Sequence, residues 1–142
     1  MFRIVVSLSL MLSAQFGFAD AEADIKYRQA VMKVVGGHMS GISTILRNGV
    51  HTDDLAYHAR GMANVAALVP NVFPAGSGEG KTEALPAIWE DEAAFKVAMD
   101  KFVTAAAGTG AAADTGDNQA IAATLKALGG SCKGCHDDYK AD

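Results

Sequence analysis

Only two cysteines, three prolines and one tryptophan occur among the 142 residues, and each scarcity narrows what the chain can be. Two cysteines cannot build the multi-bridge framework of a small disulfide scaffold. So few prolines leave long stretches free to be helical. Positive charge is also short: 12 Lys and Arg stand against 16 Asp and Glu, for a formal net charge of −4. That balance excludes the basic surface a nucleic-acid binder needs, and no Lys/Arg run offers itself to anionic lipid. Strand signals are missing as well, since β-branched runs and period-two alternation are absent.

What is present begins with a leader. Arg3 gives a short positive start, Ile4 to Leu12 are almost continuously apolar, and Gly17-Phe18-Ala19 has small residues at the −3 and −1 positions. This is the pattern of a secretory signal peptide over residues 1–19, with cleavage expected after Ala19 and Ala21 as a second site. The apolar stretch is too short for a membrane-spanning helix, and no later segment comes near one. Residues 20–142 form the expected mature domain, exported to the periplasm. Loss of Arg3 leaves it more acidic still.

Four amphipathic segments follow. Ile25, Arg28, Met32, Val35, Met39, Ile42 and Leu46 recur at spacings of three and four, which keeps them on one stripe of a long helix that Asn48-Gly49 stops. Thr52, Asp53 and Asp54 offer a cap and first-turn acids to a second helix with Leu55, His58, Met62, Val65 and Val69 inward, ended by Pro70. NVFPAGSGEGKTEALP is a long crossover loop rich in Pro, Gly and Asn. Glu90 to Glu92 open a third helix with Phe95, Met99, Phe102 and Ala106 inward, preceded by Trp89 packing against the loop. AAAGTGAAADTGDN closes it. Asp117 caps a fourth helix that carries Ile121, Leu125, Leu128, Cys132, Cys135 and Tyr139. Four such helices with one long connection predict an all-α, antiparallel four-helix bundle.

Both cysteines fall on that last helix, in Cys132-Lys133-Gly134-Cys135-His136. A disulfide between them would close so small a ring that little stabilisation follows. The sequence C-x-x-C-H is the attachment motif of c-type haem. Thiols at i and i+3 can add to the two vinyl groups along one side of a porphyrin, and the following imidazole can bind the iron. Gly129 lies a heptad before His136, where a flat group approaching the backbone would favour a missing side chain. A thioredoxin-like dithiol is the competing reading, and it would want a βαβ context and an acidified cysteine at a helix N-terminus. A zinc site would need a fourth ligand from His38, His51 or His58 at none of the usual spacings. None of those three histidines is expected to bind the haem iron.

A C-terminal CKGCHDDYK on the last helix of a bundle resembles class II cytochrome c, the family of cytochrome c prime and its low-spin relatives. IKYRQAVMKVVGGHM, LVPNVFPAG and LPAIWED are similar to that family too, so the resemblance covers nearly the whole mature chain. It implies a four-helix bundle around one covalent haem c, with Cys132 and Cys135 as thioether anchors and His136 as proximal ligand. Lys140 departs from the pattern, because many members carry Arg four residues past the histidine. The charge is kept but the planar, bidentate donor is not.

The distal side decides the expected function. The family's distal position corresponds to Met32. Low-spin members have a ligating Met there, whereas cytochromes c prime leave the iron five-coordinate. With Met32 as second axial ligand the protein is expected to be a single-haem electron carrier docking redox partner proteins. With Met32 as core filler it is a cytochrome c prime that binds nitric oxide or carbon monoxide at an open distal site. Arg28, one turn before Met32 on an inward stripe, is expected to bind a haem propionate, since a buried unpaired guanidinium is costly. No paired carboxylates or nucleophile–base pair appear, so no enzyme is expected. The chain is expected to be a monomer or homodimer.

Overall fold

In the computed structural model, residues 14–141 are described, with side chains from Asp20 onward. The leader expected over residues 1–19 lies outside the fully described part. Among the described residues there are four long helices and one short one. Helix α1 is Ala14–Asn48, α2 Leu55–Ala66, α3 Ala87–Glu90, α4 Glu92–Ala113 and α5 Asn118–Tyr139. The only β-type pairing among them is a single bridge between Ala84 and Lys140. The predicted bundle is what forms: α1 packs on α2, α2 on α4 and α4 on α5.

Local chemistry sets most boundaries. Gly49 takes a φ of 65° and donates its N–H to the Ile45 carbonyl at 2.8 Å, which closes the end of α1. Asp117 caps α5 by accepting from the Gln119 N–H at 2.8 Å, and Asp91 caps α4 by accepting from Ala94 at 3.0 Å. Thr52, Asp53 and Asp54 form a 3₁₀ turn before α2 and make no side-chain cap bond. Trp89 belongs to α3, separated from α4 by Asp91, and its indole N–H points to the carbonyls of Phe73 and Pro74 at 3.2 Å. It therefore packs on the crossover loop as expected.

One segment ends differently from expectation, and another runs through two glycines before it ends. Helix α2 stops at Ala66, and Pro70 sits in a 3₁₀ turn of Val69–Asn71. Helix α4 runs through Gly108 and Gly110 and closes at Ala113, inside the AAAGTGAAADTGDN stretch expected to end it. The reason is tertiary. A Cβ at Gly110 would lie 2.6 Å from the Cβ of Ala63, so the glycine is where α2 and α4 approach most closely, and close packing outweighs its poor helix propensity. Thr109 and Thr124 join α4 to α5 through a hydroxyl–hydroxyl bond of 2.9 Å.

The core runs through Val31, Ile42, Ile45, Leu55, Ala59, Met62, Val65, Phe102, Ala106, Ile121 and Leu128. On α1 this shifts the predicted stripe. Ile25, Arg28 and Ile42 are buried, but Val31 and Ile45 join them, whereas Met32, Val35, Met39 and Leu46 are only half-buried. On α5, Leu125, Cys132, Cys135 and Tyr139 are half-buried in the same way.

Candidate functional site

The half-buried residues of α1 and α5 face one another. A Cβ on Gly129 of α5 would meet the Met39 methyl of α1 at 3.9 Å and nothing else within 4 Å. Helices α1 and α5 make little close backbone approach, unlike the three tightly packed pairs. Met32, Val35 and Met39 from α1, and Leu125 and Cys132 from α5, pack against the core while retaining exposed surface. This is an apolar seam between side chains, with Gly129 on the α5 side opposite Met39.

At the C-terminal end of that seam stand the chemistry-bearing residues. Cys132 and Cys135 are free thiols, each half-buried, and helical spacing puts them one turn apart on one face. Burial pushes both thiols above the ordinary cysteine value; at Cys135 the neighbouring Cys132 and Asp138 add to it. They also lie near the C-terminus of α5, whose dipole disfavours a thiolate. A dithiol oxidoreductase needs the opposite, an acidified attacking cysteine. His136 is exposed and lines a cleft of about 550 Å³ with Leu85, Asp137, Lys140 and Ala141.

The donor set fits a c-type haem. Two unbridged thiols share a face, an imidazole follows on the solvent side, and Gly129 withholds a side chain from the facing Met39.

The end of α5 is tied to the crossover loop. Leu85 N–H donates to the Tyr139 carbonyl at 3.0 Å, and Ala141 N–H donates to the Glu83 carbonyl at 2.8 Å. The Lys140 ammonium is 3.0 Å from the Glu83 carboxylate. The substitution of Lys for the resembled family's Arg thus leaves the cation beside the cleft, held by a loop acid.

Arg28 is 3 % exposed and its partners are in the loop. Nη1 donates to the Ser77 hydroxyl at 2.7 Å and the Val72 carbonyl at 3.2 Å; Nη2 donates to the Ser77 carbonyl at 2.8 Å and the Thr82 hydroxyl at 2.9 Å. Its guanidinium carbon sits 5.1 Å from the Phe73 ring centre and 5.9 Å from that of Trp89, within cation–π range. Burial lowers its pKa and Asp24 partly opposes that. The loop thus already supplies this buried cation with hydrogen-bond partners, so its burial is accounted for by protein groups.

Sequence reasoning missed an aromatic ladder. Phe73, Phe95 and Tyr139 stack edge to face at 5.0 Å per step, linking the loop, α4 and the end of α5. Phe73 sits among loop breakers and has no periodic signal, so nothing in the sequence marks it. His38 and His58 meet where α1 crosses α2, their Nδ1 atoms 3.3 Å apart. Burial, and then His58, hold the His38 pKa below its ordinary value. His51 is exposed.

Comparison with known proteins bears on this site directly. The family described as Cytochrome C' matches residues 23–140. Cytochrome c' of Rhodospirillum rubrum is 43 % identical over 126 residues, covering 87 % of this chain and 86 % of its own. The crystal structure of cytochrome c' from Rubrivivax gelatinosus is 34 % identical with a TM-score of 0.77, covering 82 % of this chain and 94 % of that one. A ferrous Arg-to-Lys variant of cytochrome c prime from Alcaligenes xylosoxidans with bound NO is 29 % identical with a TM-score of 0.78, covering 86 % and 96 %.

These findings correct one expectation. Relatives 36–43 % identical are named cytochrome c', the branch that leaves iron five-coordinate, and two named cytochrome c-556 are 31–32 % identical, so the electron carrier with His136 and Met32 on the iron is set aside. The inward position of Met32 is accounted for by packing, since its side chain rests half-buried against the core.

Proposed function

The chain belongs to the cytochrome c′ family, and from that premise we propose that it is a five-coordinate haem protein binding nitric oxide or carbon monoxide at an open distal site. Its cofactor is one covalent c-type haem per chain. Cys132 and Cys135 would hold it by thioether bonds, and His136 would be the proximal ligand. When bound, the haem would supply the iron at which a small gas ligand binds.

The observation that carries this reading is the set of cytochrome c′ relatives spanning most of the chain, one of them a structure with NO bound. The seam between α1 and α5 supports it. Met32, Val35 and Met39 offer an apolar wall without a charged group of their own, which suits small uncharged gases and disfavours anions. Arg28, one turn before Met32, is engaged by the loop, and Lys33, which follows Met32 in sequence, is exposed. Binding, not substrate turnover, is the role of such a site. The protein acts in the periplasm after removal of residues 1–19.

The test is an absorption spectrum of the haem-loaded protein: oxidised, reduced, and reduced under carbon monoxide. A broad high-spin spectrum that shifts on adding the gas is expected. Sharp, split reduced bands indifferent to carbon monoxide would sink the reading.

A further inference from the structure

The crossing of α1 and α2 carries two imidazoles on which the haem site makes no demand. His38 Nδ1 and His58 Nδ1 share a hydrogen bond at 3.3 Å, one donating and the other accepting according to tautomer, with ring centres 5.4 Å apart and planes at 71°. Both rings are half-buried, and each lies on a glycine of the opposite helix. A Cβ on Gly61 would overlap the His38 ring, and one on Gly41 would come within 2.6 Å of His58 Cε1. Tyr57 flanks both rings, 6.3 Å from His38 and 5.6 Å from His58 between centres. The two glycines make the space in which the imidazoles meet, and a side chain at either position would displace the ring above it.

The spacing of the two nitrogens has a chemical meaning. Two nitrogens bound to one zinc ion at 2.0–2.1 Å in tetrahedral geometry lie about 3.3–3.4 Å apart. An Nδ1–Nδ1 pair at 3.3 Å is already at that bite. Beside His58 the surface dips into a cleft of about 310 Å³ that His51 and Asp54 also line and His38 does not, so solvent reaches the pair from the His58 side.

We propose that His38 and His58 form a second metal site, separate from the haem iron, which takes a divalent transition-metal ion such as zinc through both Nδ1 atoms. Water completes its shell, since no group of three His, Cys, Asp or Glu side chains converges on a metal position among the described residues. Coordination needs the lone pair of each Nδ1. The ring that carries its proton there transfers it to its own Nε2 through solvent, and with both rings neutral no net proton is released.

The test is calorimetric titration of zinc chloride into the haem-loaded, full chain, with His38→Gln, His58→Gln and His51→Gln in parallel. Glutamine keeps most of the imidazole volume over the glycines, and an unchanged haem spectrum shows that each variant is folded. One saturable zinc per chain is expected. Either His38→Gln or His58→Gln should weaken it by more than about tenfold, the lower end of what loss of even an outer-shell partner costs. His51→Gln should leave it unchanged, and zinc should raise the Tm of the parent but not of the His38 and His58 variants. Absence of saturable binding, undiminished binding by the His38 and His58 variants, or loss of binding on His51→Gln would overturn the site.

Discussion

Arg28 grips Ser77 twice: Nη1 donates to its hydroxyl at 2.7 Å and Nη2 to its carbonyl at 2.8 Å. One side chain of α1 thereby fixes a glycine-rich stretch of the crossover loop that has no secondary structure of its own, and the Ser77 hydroxyl passes the bond on to the Pro74 carbonyl at 2.8 Å. Replacing Arg28 with Gln removes the fork and leaves buried loop acceptors short of donors. Stability should fall by about 1.5–3 kcal/mol, the range for a hydrogen bond to a charged group, measurable by urea unfolding of the haem-loaded protein. Arg28→Lys should recover little, because an ammonium cannot engage hydroxyl and carbonyl in one plane.

The two glycines inside α4 should respond to substitution in opposite directions. Gly108→Ala meets nothing within 4 Å and should stabilise the protein by up to about 1 kcal/mol through helix propensity. Gly110→Ala gains the same propensity but drives its Cβ to 2.6 Å from that of Ala63. Neither backbone can give easily, so a net loss of about 1–2 kcal/mol is expected. Thermal unfolding of the pair decides it.

Met32→Leu tests the corrected role of that residue. As half-buried packing against the core, Met32 should tolerate a volume-conserving change at a cost below about 1.5 kcal/mol. The oxidised and reduced spectra and the response to carbon monoxide should not change. A spectrum that turns from low-spin to high-spin in the variant would restore Met32 to the iron.

Gly129 and Gly130 are adjacent in sequence but differ in place. Gly129 is half-buried and faces Met39, while Gly130 is exposed with nothing near it. Gly129→Leu should lower the yield of covalently attached haem in cells that mature c-type cytochromes, and Gly130→Leu should not. Haem staining of the denatured chain reads the difference directly. Equal yields would separate Gly129 from haem fit.

Much of this protein is legible in its sequence. The spacing of Ile121, Leu128, Cys132 and Cys135 specifies a helix and puts both thiols on its inward side, and Asp117 marks its start; these signals are local, carried by residues within a few turns of each other. The motif Cys132-x-x-Cys135-His136 and the segments similar to class II cytochromes c name the cofactor. The choice between Met32 as ligand and Met32 as packing cannot be made from the stripe, because a thioether suits both environments equally.

What only the tertiary structure decided are the relations between helices. The continuation of α4 past Gly108 depends on Ala63, on a different helix, approaching Gly110. The partners of Arg28 depend on where a breaker-rich loop folds back, and sequence periodicity is silent in loops. The meeting of His38 with His58 depends on the crossing of α1 and α2, which no single helix encodes. Local propensity and spacing determined the helices, their inward faces and the haem motif. The depth of each side chain, the width of the α1–α5 seam and the pairing of distant polar groups came from packing, since each depends on what the rest of the chain brings opposite.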